Sequence, residues 1–299
     1  MPQTHRLANL EAMGHDSHPH RHGHGHQHEH GHQHEHQGED MVEMLELDAA
    51  VMGTYLDTAT DRIRAALGRE PSVIVDIGAG TGVGVRALAR AFPTAEIIGV
   101  DASPEMTAHI DAAGHPTVRT AIADLDNGWP AALPDADVLW ASSSLHHIAD
   151  PDAFLRTAAA HLRPGGVLAI IEMTSPPLFL PNDDPLEERI VAAMSSHEMN
   201  PFADWTQAFS RADLDVVEGV DLSVEISEIT PTVLRYGASW LSRIRVGLAD
   251  DLTVDDLAAI DALVDAESPS SLARRTDLNV RSGRRMWITK PHSTTDTTL

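Results

Sequence analysis

Asp76, Gly78, Gly80 and Gly82 stand at alternate positions, immediately after and partly inside the β-branched run Val73-Ile-Val-Asp-Ile77. Such glycines allow positive φ and let the backbone come close to a ligand. Val85, Leu88, Ala89 and Phe92 then recur at helical spacing, so the turn opens a helix whose free N–H groups face that ligand. A second acid, Asp101, ends the next apolar run, Glu96-Ile-Ile-Gly-Val-Asp101, about 20 residues after the glycines, where a carboxylate can accept two adjacent ribose hydroxyls. These residues describe a nucleotide-type cofactor pocket. A dinucleotide site wants G-x-G-x-x-G, but Gly80 is followed by Thr81, Gly82 and Val83, so a nicotinamide-dependent oxidoreductase is the weaker reading. A further pair, His146-His147, follows the run Asp137 to Ser142. An imidazole titrates near neutrality and suits a general base, although packing or hydrogen bonding alone would explain either ring.

The elements that must hold these residues can be read in order. Val73 to Ile77 is a parallel strand buried on both faces. Strands follow at 96–101, 118–124, 137–142 and 167–172, with a helix starting at Ser103-Pro104 and another over 152–162. Ahead of the first strand, apolar residues at 44, 47, 51, 55, 56, 63 and 67 predict two short helices. After Glu172, Pro176, Pro177 and Pro181 stop the strand. Helices are expected at 186–194, 205–214, 231–248 and 254–264, a sixth strand at 216–226 and a last one at 285–289.

The form D-x-G-x-G-x-G over Asp76 to Gly82, followed in order by these segments, resembles the class I S-adenosylmethionine-dependent methyltransferases, and within them small-molecule enzymes of the trans-aconitate and ubiquinone-biosynthesis type. The resemblance covers roughly residues 41 to 291 and is densest from 71 to 175. It implies an α/β, Rossmann-like, seven-stranded and mostly parallel sheet with helices on both faces, whose last strand is antiparallel and lies between the fifth and sixth. It also implies cofactor contacts: Gly78, Ala79 and Gly80 against the methionine moiety and ribose, Asp76 beneath the turn near the amino group, and Asp101 on the ribose diol. Ala102 and Met106 would flank adenine, Asp124 accept its exocyclic amine, Leu125 lie beside it, and Ser142 sit near the sulfonium. The expected organisation is a disordered tail over 1–40, a methyltransferase domain over 41–291 with its cofactor-binding core at 71–175, helical lid insertions at 176–214 and 230–268, and a disordered end at 292–299. N-terminal helices cover the cleft in this family, so Tyr55 either lines it or makes an ordinary helix contact. Trp205, Tyr236 and Trp240 either wall an acceptor pocket or pack helix on helix; Tyr236 and Trp240 are four apart on one helix face. If the acceptor is anionic, Arg189, Arg235, Arg243 and Arg245 are the candidate cations.

Composition narrows the partners. The 299 residues carry 21 Lys+Arg against 45 Asp+Glu, a formal charge of −24, and the first forty contribute only six acids and two bases. Such a surface repels phosphate backbones, so nucleic acid is not expected as a substrate. Arg281, Arg284 and Arg285 form the one basic cluster, read as solvated arginines flanking the last strand. With no cysteine, disulfides and thiolate metal sites are excluded. No apolar run approaches the ~20 residues of a membrane helix, and no signal-peptide pattern is present, so a cytoplasmic protein acting on a small molecule is expected. The tail holds 12 of the 19 histidines, at every second position from His22 through His24, His26, His28, His30, His32 and His34 to His36. Its bland reading is a solvated tract. Its functional reading is Ni or Zn ligation, which would make metal storage or delivery the alternative to methyl transfer.

Overall fold

A computed structural model of the chain describes residues 29–196 and 202–292, with residues 29–40 described by their backbone alone. The described residues form two units, one of 54–176, 202–224 and 282–292 and one of 29–53, 177–196 and 225–281.

The first unit is built on a sheet. In chain order it contains α2 (Tyr55–Leu67), which follows α1 (Glu29–Met52) of the other unit, then β1 (Val73–Ile77), α3 (Val83–Ala91), β2 (Glu96–Asp101), α4 (Pro104–Ala112), β3 (Val118–Ile122), β4 (Ala136–Ser142), α5 (Pro151–Ala160) and β5 (Leu162–Met173). The sheet order is β3-β2-β1-β4-β5-β9-β6, where β6 is Leu214–Asp221 and β9 is Arg284–Pro291. β1 to β5 run parallel, and β9 is antiparallel to both β5 and β6. The seven strands and the reversed strand between fifth and sixth are those the sequence implied.

Period-two alternation explains how the strands are covered. On one face Val75, Ile77, Leu139, Ile170 and Trp287 join Phe154, Leu155 and Phe209 in a single buried cluster. On the other, Ile74, Ile97 and Trp140 are buried with Leu88 and Val85 of α3. Each such aliphatic side chain removed from water contributes about 1.5–3 kcal/mol. Helix starts are set locally: Ser103 accepts from Met106 N–H ahead of Pro104, and Asp150 accepts from Ala153 N–H ahead of Pro151.

The second unit is mainly helical: α1, α6 (Pro185–Ser195), α8 (Pro231–Gly247) and α9 (Val254–Val264). α7 (Thr206–Arg211) belongs instead to the sheet unit, and so does Trp205, which packs against the Phe209–Trp287 side of the sheet core. The lid expected over 176–214 is therefore divided. Its first half is helical unit, while its second half is the crossover helix that leads into β6. Two other boundaries differ. α1 begins at Glu29, inside the stretch expected to be a disordered tail, because no proline occurs between Pro19 and Pro71 and Glu, Gln, Leu and Met are good helix formers. The sixth strand ends at Asp221, whose carboxylate accepts from Ser223 N–H and Oγ–H and turns the chain before β7 (Val224–Ile226). β7 pairs with β8 (Val280–Ser282) in a separate two-stranded sheet. No helix among the described residues is long and apolar enough to cross a membrane.

Candidate cofactor site

The glycine turn after β1 is held in place by its neighbours. Ala79 N–H donates to Val100 O at 2.9 Å, tying the turn to β2, and Gly82 N–H donates to Ala79 O at 2.9 Å, closing it. Gly78 has φ 65°, and a Cβ there would lie 2.5 Å from Ser144 Cβ. Only glycine lets the turn and the loop after β4 approach this closely.

Asp101 faces the turn from the end of β2. Gly80 N–H donates to its Oδ2 at 2.8 Å and Ser103 N–H to its Oδ1 at 2.9 Å. The side chain is half-buried and each oxygen keeps a lone pair, which is the acceptor set a vicinal diol requires. Ala102 and Met106 are half-buried just beyond it, and Leu125 is half-buried after β3. Asp124 is exposed, with one oxygen accepting from Asp126 N–H and the other from Asn127 Nδ2. Its carboxylate thus shapes a local turn.

Asp76 is placed differently from the other acids. It is 2% exposed, lies under the first turn of α3 and accepts from Val85 N–H. Burial, with the nearby Asp101 charge, pushes its carboxyl well above the usual range. Oδ2 has no hydrogen-bond partner, and a Cβ at Gly84 would come within 2.5 Å of it. The carboxyl is thus enclosed by helix and sheet.

The loop leaving β4 passes through Ser142, half-buried, and Ser143, which has φ 53°. Ser144 Oγ donates to Ile77 O at 2.8 Å. Glu172, at the end of β5 and fully buried, accepts from Leu145 N–H at 2.7 Å through Oε1, and its Oε2 lies 2.7 Å from His146 Nδ1. His146 is 7% exposed, and its ring meets that of half-buried His147 at 4.1 Å. Beside this loop Tyr55 OH lies 3.5 Å from Ser142 Oγ, and Arg284 Nη1 donates to Tyr55 OH at 3.4 Å with the guanidinium 4.8 Å above the ring.

A methyltransferase domain family matches residues 75–168, the stretch from β1 into β5. Trans-aconitate 2-methyltransferase of Azoarcus sp. (strain BH72) is 38% identical over 123 residues, 39% of this chain and 47% of that protein. The enzyme of the same name from Variovorax paradoxus (strain S110) is 32% identical over 131 residues, 42% of this chain and 50% of that protein. The chain thus spans about half the length of the curated relatives it matches. A solved structure of a candidate methyltransferase from Bacillus halodurans C-125 is similar in fold, with a TM-score of 0.51 at 13% identity over 79% of this chain and 99% of that one. Residues 75–168 thus match a methyltransferase domain, and the chain is similar to the class I S-adenosylmethionine-dependent methyltransferases.

The residues of the sheet unit fit S-adenosylmethionine: a close-approach glycine turn, an Asp101 carboxylate with acceptor capacity for a diol, and half-buried apolar residues nearby. The residues expected to contact the acceptor have partners of their own. Tyr236 is fully buried in the helical unit, where its hydroxyl donates to Asp48 at 2.6 Å and its ring meets Phe179 edge-on. Trp240 is buried on the same helix, so both aromatics are core of that unit. Arg235 Nε pairs with Glu43 at 2.8 Å, Arg189 with Asp256 and Arg245 with Asp261. Arg243 Nη2 lies 3.8 Å from the Met41 sulfur. Trp205 is half-buried against the core of the sheet unit. His22, His24, His26 and His28 lie outside the described residues, as do the side chains of His30, His32, His34 and His36. No three metal-ligating side chains converge among the described residues.

Two residues stand at the site with no role assigned to them from the sequence. Glu172 carried one signal, an acid closing an otherwise apolar strand in the same way as Asp101. Arg284 carried none. It is 3% exposed, contrary to the expectation of a solvated arginine, because β9 is an inner strand and Arg284 stacks on the ring of Tyr55 from α2. Arg285, the next residue, is exposed as expected.

Proposed function

We propose that the protein binds S-adenosylmethionine at the glycine turn and transfers its methyl group to oxygen, nitrogen or carbon of a small-molecule acceptor. The observation that carries this reading is Asp101, held by Gly80 N–H at 2.8 Å with acceptor capacity to spare. When bound, the cofactor supplies a sulfonium-activated methyl group. The chain's part is then to orient the reactants and exclude water, and good orientation is worth up to about 7–11 kcal/mol.

An acidic acceptor is the finer reading. Two supports favour it: the named substrate of the relatives, and the buried guanidinium of Arg284 stacked on Tyr55 beside Ser142. A carboxylate is ionised at neutral pH and needs no general base, in keeping with a His146 already engaged by Glu172. The reading takes the cytoplasm as the compartment.

The test is calorimetry on the full chain with S-adenosylmethionine, S-adenosylhomocysteine and NAD. It is followed by transfer of labelled methyl from S-adenosylmethionine to trans-aconitate and to panels of small carboxylates, phenols and amines. Binding of NAD without S-adenosylmethionine would overturn the assignment. Methylation confined to amines would overturn the acidic acceptor alone.

A further inference from the structure

Glu172 carries a cost that its surroundings must offset. A carboxylate removed wholly from water is retained only where donors replace the lost hydration. Both donors here come from one short loop: Leu145 N–H on Oε1 and His146 Nδ1 on Oε2, each at 2.7 Å. The same loop contains Ser143, a non-glycine residue at φ 53°, a conformation that costs about 1–3 kcal/mol and survives only where its surroundings over-determine it. Ser143 N–H donates to Ile171 O at 2.8 Å, and Ser144 Oγ donates to Ile77 O at 2.8 Å, one residue before Gly78. The loop is thereby fastened to β5 at three points and to β1 at one. Its Ser144 fills the space that a side chain at Gly78 would occupy.

We infer that Glu172 and His146 form a positioning clamp for the cofactor site: Glu172 fixes the β4 loop through Leu145 and His146, and the loop in turn sets the glycine turn at Gly78. His146 serves here as a hydrogen-bond donor through Nδ1–H to the buried carboxylate. Neither residue needs to touch a reacting atom. This rests on the proposal that the glycine turn binds S-adenosylmethionine, and S-adenosylhomocysteine is the probe because it reports the site without any acceptor.

The experiment compares His146→Ala, His146→Asn and Glu172→Gln with the wild-type full chain, by calorimetric titration of S-adenosylhomocysteine well below each melting temperature. An asparagine amide can reproduce the Nδ1–H donor, whereas alanine cannot. His146→Ala should weaken binding by about tenfold and His146→Asn by less than about threefold, the loss expected for one hydrogen bond to a charged group and its recovery. Glu172→Gln should fall between them, and combining it with His146→Ala should add little to the single loss. A clamp that only stabilises the fold would lower the melting temperature of all the variants and leave the affinity of folded protein unchanged, which would overturn the inference. Equal loss in His146→Ala and His146→Asn would overturn it too, since the donor would then be irrelevant. Should Glu172→Gln fail to fold, the two His146 variants decide alone. A wild-type chain that does not bind S-adenosylhomocysteine would instead overturn the cofactor assignment on which the clamp rests.

Discussion

Asp76 and Asp137 lie in neighbouring strands at opposite edges of the sheet, each 2% exposed, and their carboxyls are displaced in opposite directions. At the amino end of β4, burial alone would raise Asp137. Hydrogen bonds from Arg69 Nη2 at 2.6 Å, Ser72 N–H at 2.7 Å and Val73 N–H at 3.0 Å outweigh it and hold the acid below its usual range, with Arg163 Nη1 also at 3.0 Å. At the carboxyl end of β1, burial and the Asp101 charge raise Asp76, opposed only by Val85 N–H. Both side chains are shielded from solvent, but Asp76 lies deeper in the protein and has fewer donors, and depth and donor supply together set the sign. The amino edge uses its acid to stabilise the fold, whereas the cofactor edge keeps two acids close together at a cost.

The largest effect should come from breaking the well-supplied edge. Asp137→Ala leaves the buried Val73 N–H, the Ser72 N–H and two arginines without their acceptor and should cost about 3 kcal/mol in urea unfolding, with S-adenosylhomocysteine affinity of the folded protein unchanged. A loss under 1 kcal/mol would show that water replaces Asp137 easily. On the other edge, Asp101→Ala should weaken S-adenosylhomocysteine binding by about 1–3 kcal/mol without unfolding the domain, measured by calorimetry. Unchanged affinity would remove Asp101 from the cofactor site.

Smaller effects test the two signs through pH. A depressed acid stabilises above its unfolded pKa of about 3.9, and that contribution disappears as pH falls through the folded value. The acid limb of wild-type stability should therefore be steeper than that of Asp137→Asn below about pH 4. For a raised acid the contribution is present below the unfolded pKa and lost as pH rises through the folded one. Asp76→Asn should accordingly gain on wild type as pH rises above about 4, followed by melting temperature. If Asp76→Asn lost stability across that range instead, donors hidden beneath α3 would have to supply Asp76 as fully as Asp137 is supplied.

The parts of this molecule legible in the sequence are those governed by local periodicity and short-range backbone demands. β1, the glycine turn and α3 follow from twenty adjacent residues, and α8 and α9 fall within a residue of the spans that their apolar spacing predicts. Asp101 was legible for the same reason, because the end of an apolar run marks the edge of a buried strand. Helical spacing placed Tyr236 and Trp240 on one face, but the same spacing serves a pocket wall and a core equally well, and only the Asp48 and Phe179 contacts separate them. Trp205 was assigned to the wrong unit because no local pattern distinguishes a lid helix from a crossover helix.

By itself the sequence determined the strand and helix order, the positive-φ turn and the acid that faces it, since each depends on residues within one or two turns of chain. Tertiary structure alone decided which polar groups became buried partners. Glu172 meets His146 across 26 positions, Arg284 meets Tyr55 across 229, and the carboxyls of Asp76 and Asp137 are displaced in opposite directions by what other segments pack around them. The physical reason is that desolvation depends on everything packed around a group, whereas periodicity depends only on the group's own segment.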